Sequence, residues 1–117
     1  MIDPIKIDVH PAPEKSDVMV MELKGQLDTF TASQVEQALD KLISKRQFRI
    51  VIDLGKVNYV SSAGWGIFLG ILKEVKLNKG DLRLCGMTHD VTEVFKLLQM
   101  EFFLPTYETW AEAARSF

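Results

Sequence analysis

The chain has 117 residues, the size of one ordinary domain, and that length can bury a hydrophobic core without help from a metal or a disulfide. Apolar residues make up 47% of the chain and charged residues 26%, a composition that excludes a disordered polypeptide. The 14 basic and 16 acidic side chains nearly cancel, which argues against nucleic-acid binding because that function depends on a basic excess. We therefore expect one domain over residues 1–117 and no nucleic-acid partner.

Residues 5–9 alternate apolar and polar side chains, the period of a half-buried strand, and Pro11 and Pro13 are expected to end it. A polar turn at 14–17 leads to a second predicted strand from Val18 to Leu23. The two strands predict a hairpin at one side of the fold.

A capping box at Thr31–Gln34 is predicted to begin the first helix, which continues at helical spacing to Ile43. Phe48–Leu54 contains a continuous apolar run, typical of an interior strand covered on both faces. The next helix is predicted from Ser62 to Asn78, with Gly80 as a left-handed C-cap.

The C-terminal third continues the alternation of strands and helices. Its predicted elements are a strand at 82–85, a helix capped by Thr88 or Asp90, a short strand at Phe102–Leu104 and a last helix that begins at a capping box, Thr109–Glu112. The whole pattern predicts an α/β fold with a mostly parallel sheet of four to five strands and about four helices.

The serine pair Ser61-Ser62 lies between a predicted buried strand and a predicted helix, at the sheet edge where α/β proteins tend to place their sites. Ser62 is the predicted N-cap. Gly64, Gly66 and Gly70 follow in the same helix, and each costs about 1 kcal/mol relative to alanine. Glycines there would let another backbone approach closely.

A phosphate on Ser62 would lie at the helix N-terminus, which attracts anions, and would leave the helix intact. It would place about −1.5 to −2 charges on a partly apolar surface and so repel a bound partner. A second candidate site is Gly25-Gln-Leu-Asp28, where Asp28 caps the helix or forms a turn. Parallel strand order could bring this loop beside Ser62.

An enzyme that uses Ser62 as its nucleophile is the less favoured alternative. Such a serine needs a base within hydrogen-bond reach, and neither His10 nor His89 lies in a segment that clearly faces the turn. The G-x-S-x-G pattern is absent because Val60 precedes Ser62 by two places. No phosphate-binding motif or metal-ligand spacing occurs, so we predict no cofactor and no metal site.

The sequence also predicts a cytoplasmic protein. Cys85 is the only cysteine, so no internal disulfide can form and a reducing compartment is favoured. The N-terminus lacks the pattern of a secretory signal. The longest apolar run, Ile67–Leu72, is far below the ~20 residues that span a bilayer, and we expect no membrane association.

Three segments together resemble the STAS family, the domain shared by sulfate transporters and bacterial anti-sigma factor antagonists. They are Gly25-Gln-Leu-Asp28, Val51-Ile-Asp-Leu-Gly-Lys-Val-Asn-Tyr-Val-Ser-Ser-Ala-Gly-Trp-Gly66 and Leu82-Arg-Leu-Cys-Gly86. The resemblance covers roughly residues 5–115. Within the family, the chain is similar to the free-standing antagonists. It implies a STAS fold and a protein that switches partners and is not an enzyme.

In that family the unphosphorylated antagonist binds an anti-sigma factor serine kinase and so releases the sigma factor. Phosphorylation by this kinase ends the binding, and a metal-dependent serine/threonine phosphatase resets the protein. The resemblance places the phosphoacceptor on Ser62, with Ser61 as second choice, and Asp28 on the acidic loop position. The predicted partner-binding residues are Asp28, Ser61, Ser62, Ala63, Gly64 and Trp65.

Two positions depart from the family pattern. Many members carry an acidic residue where this chain has Ser61, and Ser or Thr where it has Ala63. The alternative function is therefore a STAS scaffold subunit of a larger signalling complex that is not phosphorylated. A monomer is the expected state for a protein that exchanges partners.

Overall fold

The computed structural model describes residues 4–117. Its strands are β1 (Lys6–Ala12), β2 (Lys15–Leu27), β3 (Arg49–Val60), β4 (Asp81–Cys85) and β5 (Thr106–Tyr107). Its helices are α1 (Ala32–Ser44), α2 (Ser62–Leu77), α3 (His89–Leu97) and α4 (Trp110–Arg115), with a 3-10 turn at Met100–Phe102.

The strands form one sheet in the order β1-β2-β3-β4-β5. β1 and β2 pair antiparallel as a hairpin, and the remaining pairs are parallel. This architecture confirms the predicted α/β fold and the hairpin at one side. The central strand β3 is buried on both faces through Ile50, Val51 and Ile52, as its continuous apolar run predicts.

Helices cover both faces of the sheet, and alternate side chains of β2 contribute to a separate hydrophobic core on each face. Its residues Met19, Met21 and Leu23 belong to the larger core, together with apolar residues of α1, α2 and α3. Val18 and Val20, which alternate with these residues along β2, belong to a second core, which they share with alanines of α4. Alternate side chains of a strand point to opposite faces, so α1, α2 and α3 cover one face and α4 covers part of the other.

The paired strands are longer than the sequence pattern predicts. β2 begins at Lys15 and runs to Leu27, because the turn after β1 occupies only residues 13–14. β3 continues six residues past the predicted end at Leu54, to Val60. Polar residues such as Lys56 and Asn58 interrupt the apolar run, but pairing with β2 persists through them to the Leu27–Val60 pair. The two strands therefore end together.

The predicted C-cap at Gly80 is wrong. Lys79 adopts the left-handed conformation, with φ of 64°, and the N–H of Gly80 donates to the carbonyl of Val75 at 2.8 Å. Gly80 is required for a different reason, because a Cβ there would lie 1.9 Å from the carbonyl oxygen of Phe48. The glycine thus permits the close approach of two backbones and not a turn.

The predicted strand at Phe102–Leu104 is also wrong. Met100–Phe102 forms a 3-10 turn instead. Leu104 is buried, but Phe102 and Phe103 are exposed, so the apolar run does not pack into the core as a strand. The last strand is instead β5, which pairs in parallel with β4. The N–H of Leu84 donates to the carbonyl of Pro105, directly before β5, at 3.0 Å. Thr88, and not Asp90, caps α3 through its hydroxyl and the N–H of Val91.

Candidate functional site

The ends of β2 and β3 bring the two candidate segments together. Leu27 pairs with Val60, and the N–H of Ser61 donates to the carbonyl of Leu27 at 2.8 Å. Asp28 directly follows Leu27, so the acidic loop and the serine turn lie side by side. This confirms the predicted proximity of the two segments.

Asp28 organises its own loop. Its Oδ1 accepts from the N–H of Phe30 at 2.9 Å and from the N–H of Thr31 at 3.1 Å. The hydroxyl of Thr31 donates to the carbonyl of Gln26 at 2.7 Å. Of the two predicted roles for Asp28, the structure shows the turn, an Asx turn whose carboxylate is held by the loop backbone.

The predicted capping box at Thr31–Gln34 is wrong for the same reason. Thr31 precedes α1, but its hydroxyl is bonded within the Asp28 loop and makes no cap hydrogen bond to α1. The side-chain oxygen of Gln34 accepts from the N–H of Ile5 at 3.3 Å and does not reach back to Thr31. Partners outside the helix, in the Asp28 loop for Thr31 and at Ile5 for Gln34, therefore outcompete the capping box.

The N-cap of α2 is Ser61, and the prediction of Ser62 was wrong by one residue. Ser61 has extended backbone angles (φ −78°, ψ 170°), and its Oγ accepts from the N–H of Gly64 at 3.3 Å. Its side chain is buried, with 8% of the residue exposed. The hydroxyl of Ser61 is thus part of the helix start and is shielded from a modifying enzyme.

Ser62 is the first residue of α2 and is exposed. Within residues 4–117, its hydroxyl makes no hydrogen bond. The first N–H groups of a helix have no partner within the helix, and they can stabilise an anion at this position. Of the two serines, Ser62 alone offers an accessible nucleophilic oxygen next to such donors.

The glycines of α2 serve two purposes. A Cβ on Gly64 would lie 2.7 Å from Cγ of Leu27 and 2.9 Å from Cγ1 of Val60, so Gly64 is needed for packing against the sheet. A Cβ on Gly66 or Gly70 would meet nothing within 4 Å. Ser62, Gly66 and Gly70 are exposed and lie four residues apart, which makes a flat stripe along α2.

Trp65 lies in the core and not on the predicted partner surface. It is 2% exposed and packs edge-on against Phe68, with the ring of Phe95 5.7 Å away. With Gly64 also buried, the exposed part of the predicted serine turn reduces to Ser62 and the partly buried Ala63.

Two exposed aromatic residues beside the turn were missed by the sequence reasoning. Phe30 is 66% exposed in the Asp28 loop, and Tyr59 is 51% exposed near the end of β3. For Phe30, the sequence did offer a signal of exposure, because this aromatic residue lies inside an otherwise polar turn segment, Asp28-Thr-Phe-Thr31. Exposed aromatic side chains are enriched where proteins bind partners.

Neither histidine contacts Ser62 among the described residues; both pair with glutamates. His10 contacts Pro11 and Glu22, and His89 pairs with Glu93. The carbonyl of Pro11 raises the pKa of His10, with Glu22 adding to the effect. Burial raises the pKa of the Cys85 thiol to about 12, so it remains protonated. The described residues contain no group of three or more side chains that could hold a metal ion.

Comparison with known proteins identifies the family. A model of the STAS domain matches residues 10–113, and the chain belongs to this family. BtrV of Bordetella bronchiseptica, named as a candidate anti-sigma factor antagonist, is 32% identical over 105 residues, which cover 89% of this chain and 90% of BtrV.

Solved structures share the fold. An anti-sigma factor antagonist from Mycobacterium paratuberculosis superimposes with a TM-score of 0.85 at 22% identity, covering 96% of this chain and 92% of that chain. The Bacillus cell fate determinant SpoIIAA in its phosphorylated form gives a TM-score of 0.72 at 17% identity, covering 96% and 100%. No helix within residues 4–117 has the length and apolar character of a membrane span.

The two serines should separate in their effects on stability. Ser61→Ala removes the cap and should lower the free energy of unfolding by about 1 kcal/mol, whereas Ser62→Ala should change it little. Urea unfolding followed by circular dichroism measures both. Equal losses from the two variants would contradict the assignment of Ser61 as the cap.

Alanine substitutions at Gly64 and Gly66 should have opposite effects on the stability of the protein. Gly64→Ala forces a methyl group against Leu27 and Val60 and should destabilise the protein by about 1–3 kcal/mol. Gly66→Ala is the matched control and should stabilise α2 by up to about 1 kcal/mol, since its methyl group enters open space. Thermal unfolding of the two variants checks the contrast, and a stable Gly64→Ala variant would refute the packing role.

Proposed function

We propose that the protein is an anti-sigma factor antagonist that exchanges partners when Ser62 is phosphorylated, and that it acts by binding and not as an enzyme. The observation that carries this proposal is the division between the two serines. Ser61 is buried as the helix cap, and Ser62 is exposed at the first position of α2. Membership of the STAS family and relatives named as antagonists support the same function.

The unmodified protein would bind an anti-sigma factor through the surface around Ser62. That surface combines the glycine stripe of α2 with the exposed rings of Phe30 and Tyr59. The stripe lets a partner backbone approach α2 closely, and the aromatic rings add apolar contact area. Binding of the anti-sigma factor would release the sigma factor.

Asp28 would act by positioning and not by direct contact. Two backbone N–H groups of its own loop already hold one oxygen of the carboxylate. This Asx turn fixes the path of the chain at Phe30 beside the serine turn. We therefore assign Asp28 the role of presenting the loop to the partner.

Phosphorylation would end the binding without unfolding α2. The hydroxyl oxygen of Ser62 forms a bond to the γ-phosphorus of ATP, the bond to ADP breaks, and the hydroxyl proton passes to a base of the kinase. The product carries about −1.5 to −2 charges, which the helix N-terminus stabilises. The same charge, added to the surface that binds the partner, would repel the docked partner.

The proposed partners are an anti-sigma factor serine kinase and a metal-dependent serine/threonine phosphatase. The phosphatase would hydrolyse the phosphoserine to serine and inorganic phosphate and so restore the binding surface. We further propose that the protein is a cytoplasmic, monomeric single domain, because its role requires exchange between soluble partners.

The direct test is incubation with ATP and candidate anti-sigma kinases, followed by intact mass measurement and peptide mapping. We expect one added phosphate on Ser62. Ser61→Ala should still accept it, because its Ser62 is unchanged, and Ser62→Ala should not accept it. Ser62→Ala should also keep the anti-sigma factor bound in the presence of ATP.

Three outcomes would contradict this proposal. Phosphate on Ser61 in the wild type would move the switch to the buried serine. Release of Ser62→Ala by ATP would show that the switch lies elsewhere. Failure of every candidate kinase, together with a stable complex isolated from cells, would favour the scaffold function.

A further inference from the structure

His10 joins the N-terminal hairpin to the last helix. Its Nδ1 lies 3.1 Å from the carbonyl oxygen of Pro11, near the end of β1. Its Nε2 lies 2.9 Å from Oε2 of Glu22 on β2. The imidazole and the indole ring of Trp110 meet in a T-shaped contact, with the ring centroids 5.5 Å apart. Because Trp110 is the first residue of α4, His10 connects the hairpin to the start of that helix.

The two acceptors around His10 match its charged form. A neutral imidazole carries one N–H group, whereas an imidazolium carries two and accepts no hydrogen bond. Both ring nitrogens of His10 face oxygen atoms, a carbonyl and a carboxylate, that act as acceptors. Only the imidazolium can donate to both. In the neutral form one ring nitrogen would point a lone pair at an oxygen, and the ring would have to turn away from one of its two partners.

The charges that act on this imidazole come from the hairpin. The carbonyl of Pro11 has the largest effect on the pKa of His10 and raises it, and the carboxylates of Glu22 and Asp8 act in the same direction. Partial burial lowers the pKa, but the net change is upward from 6.5. From α4 the contact is the uncharged ring of Trp110. Histidine ordinarily titrates just below neutral pH, so the upward shift moves the release of this proton toward the neutral range.

The last helix depends on a few contacts for its position. A helix of six residues has no stability of its own in water, and the buried residues of α4 are Ala113 and Ala114. Its far end is held by Lys15, whose Nζ donates to the carbonyl of Arg115 at 3.1 Å. A lysine ammonium stays charged near neutral pH and a carbonyl does not titrate there, so this second contact does not change with pH.

We propose that His10 is a pH-sensitive latch for α4. In the imidazolium form, the hydrogen bonds to Pro11 and Glu22 hold the ring against Trp110, and α4 stays docked over the second core. When the proton leaves, the ring turns from one acceptor, the contact with Trp110 weakens, and α4 opens more often. The latch acts on the face of the sheet opposite α2, so it does not depend on Ser62 or on the proposed function.

The direction of the pH dependence follows from the direction of the pKa shift. The pKa of His10 is raised in the folded protein, so the protonated ring stabilises the docked form. This stabilisation is fully present below the ordinary pKa of histidine. It is lost as the pH rises through the pKa that His10 has in the folded protein. Docking of α4 should therefore weaken as the pH passes from mildly acidic to mildly alkaline values.

Cys85 provides a probe of this opening, because it belongs to the second core that α4 covers and is 0% exposed. The rate at which 4,4′-dithiodipyridine modifies its thiol is measured on the full chain from about pH 6 to about pH 8. Dividing the wild-type rate by the rate of His10→Gln at the same pH removes the pH dependence of the thiol itself. We expect this ratio to rise at least about twofold over that range.

Two further variants and a spectrum assign the effect to His10. Glu22→Gln keeps an acceptor and removes a charge, so the rise should move to lower pH. His89→Gln is the matched control, since His89 lies on α3 and pairs with Glu93, and it should behave as the wild type does. Long-range ¹H–¹⁵N spectra of the imidazole rings should show both nitrogens of His10 protonated at low pH, with a midpoint that coincides with the rise. Circular dichroism should show every variant folded.

Each outcome decides for or against the latch. A ratio that stays constant with pH, or a His10 titration at or below the ordinary histidine value, overturns it. Loss of the rise in His89→Gln would assign the effect to another group and would also overturn it. So would a thiol reaction with the full urea dependence of global unfolding, because a local opening exposes little surface. A rise that follows the His10 titration supports the latch, whether or not an anti-sigma factor binds the protein.

Discussion

The site depends on the parallel pairing of β2 with β3 through to their last residues. The hydrogen bond from the N–H of Ser61 to the carbonyl of Leu27 continues that pairing beyond Val60. It fixes the start of α2 against the sheet and places the Asp28 loop beside it. Gly64 completes the arrangement, because only a residue without a Cβ fits against Leu27 and Val60. The positions of Ser62 and of the Asp28 loop follow from this pairing.

Adjacent serines then divide the structural and the proposed regulatory tasks. Ser61 accepts a hydrogen bond from Gly64 N–H and is buried, so its hydroxyl stabilises the helix. Ser62 is exposed, and its hydroxyl makes no hydrogen bond to another of residues 4–117, so a phosphate on it would break no contact there. A switch built this way changes the charge of a surface while the core of Trp65, Phe68 and Phe95 stays intact.

The sequence predicted those features that depend on a strong local pattern. The apolar run at 50–52 predicted the doubly covered strand, and the alternation at residues 5–9 predicted the edge hairpin. The sequence patterns failed where a contact outside the local motif decides the outcome. Ser61 and Ser62 are equally good caps by type, and the bond to Leu27 selects Ser61. Thr31 fits a capping box, but Gln26 takes its hydroxyl. The sequence suggested only a C-cap at Gly80. The glycine is needed instead because the carbonyl of Phe48, distant in sequence, lies where a Cβ would be.

The central claim is that phosphate on Ser62 changes the surface and leaves the fold unchanged. Comparison of backbone amide chemical shifts between the unmodified and the stoichiometrically phosphorylated protein tests it most directly. We expect changes confined to residues 28–31 and 61–66, with the signals of β3, β4 and the remainder of α2 unmoved. Shifts that spread through the core, or a loss of signal dispersion, would show that the phosphate disrupts the fold and would contradict this account.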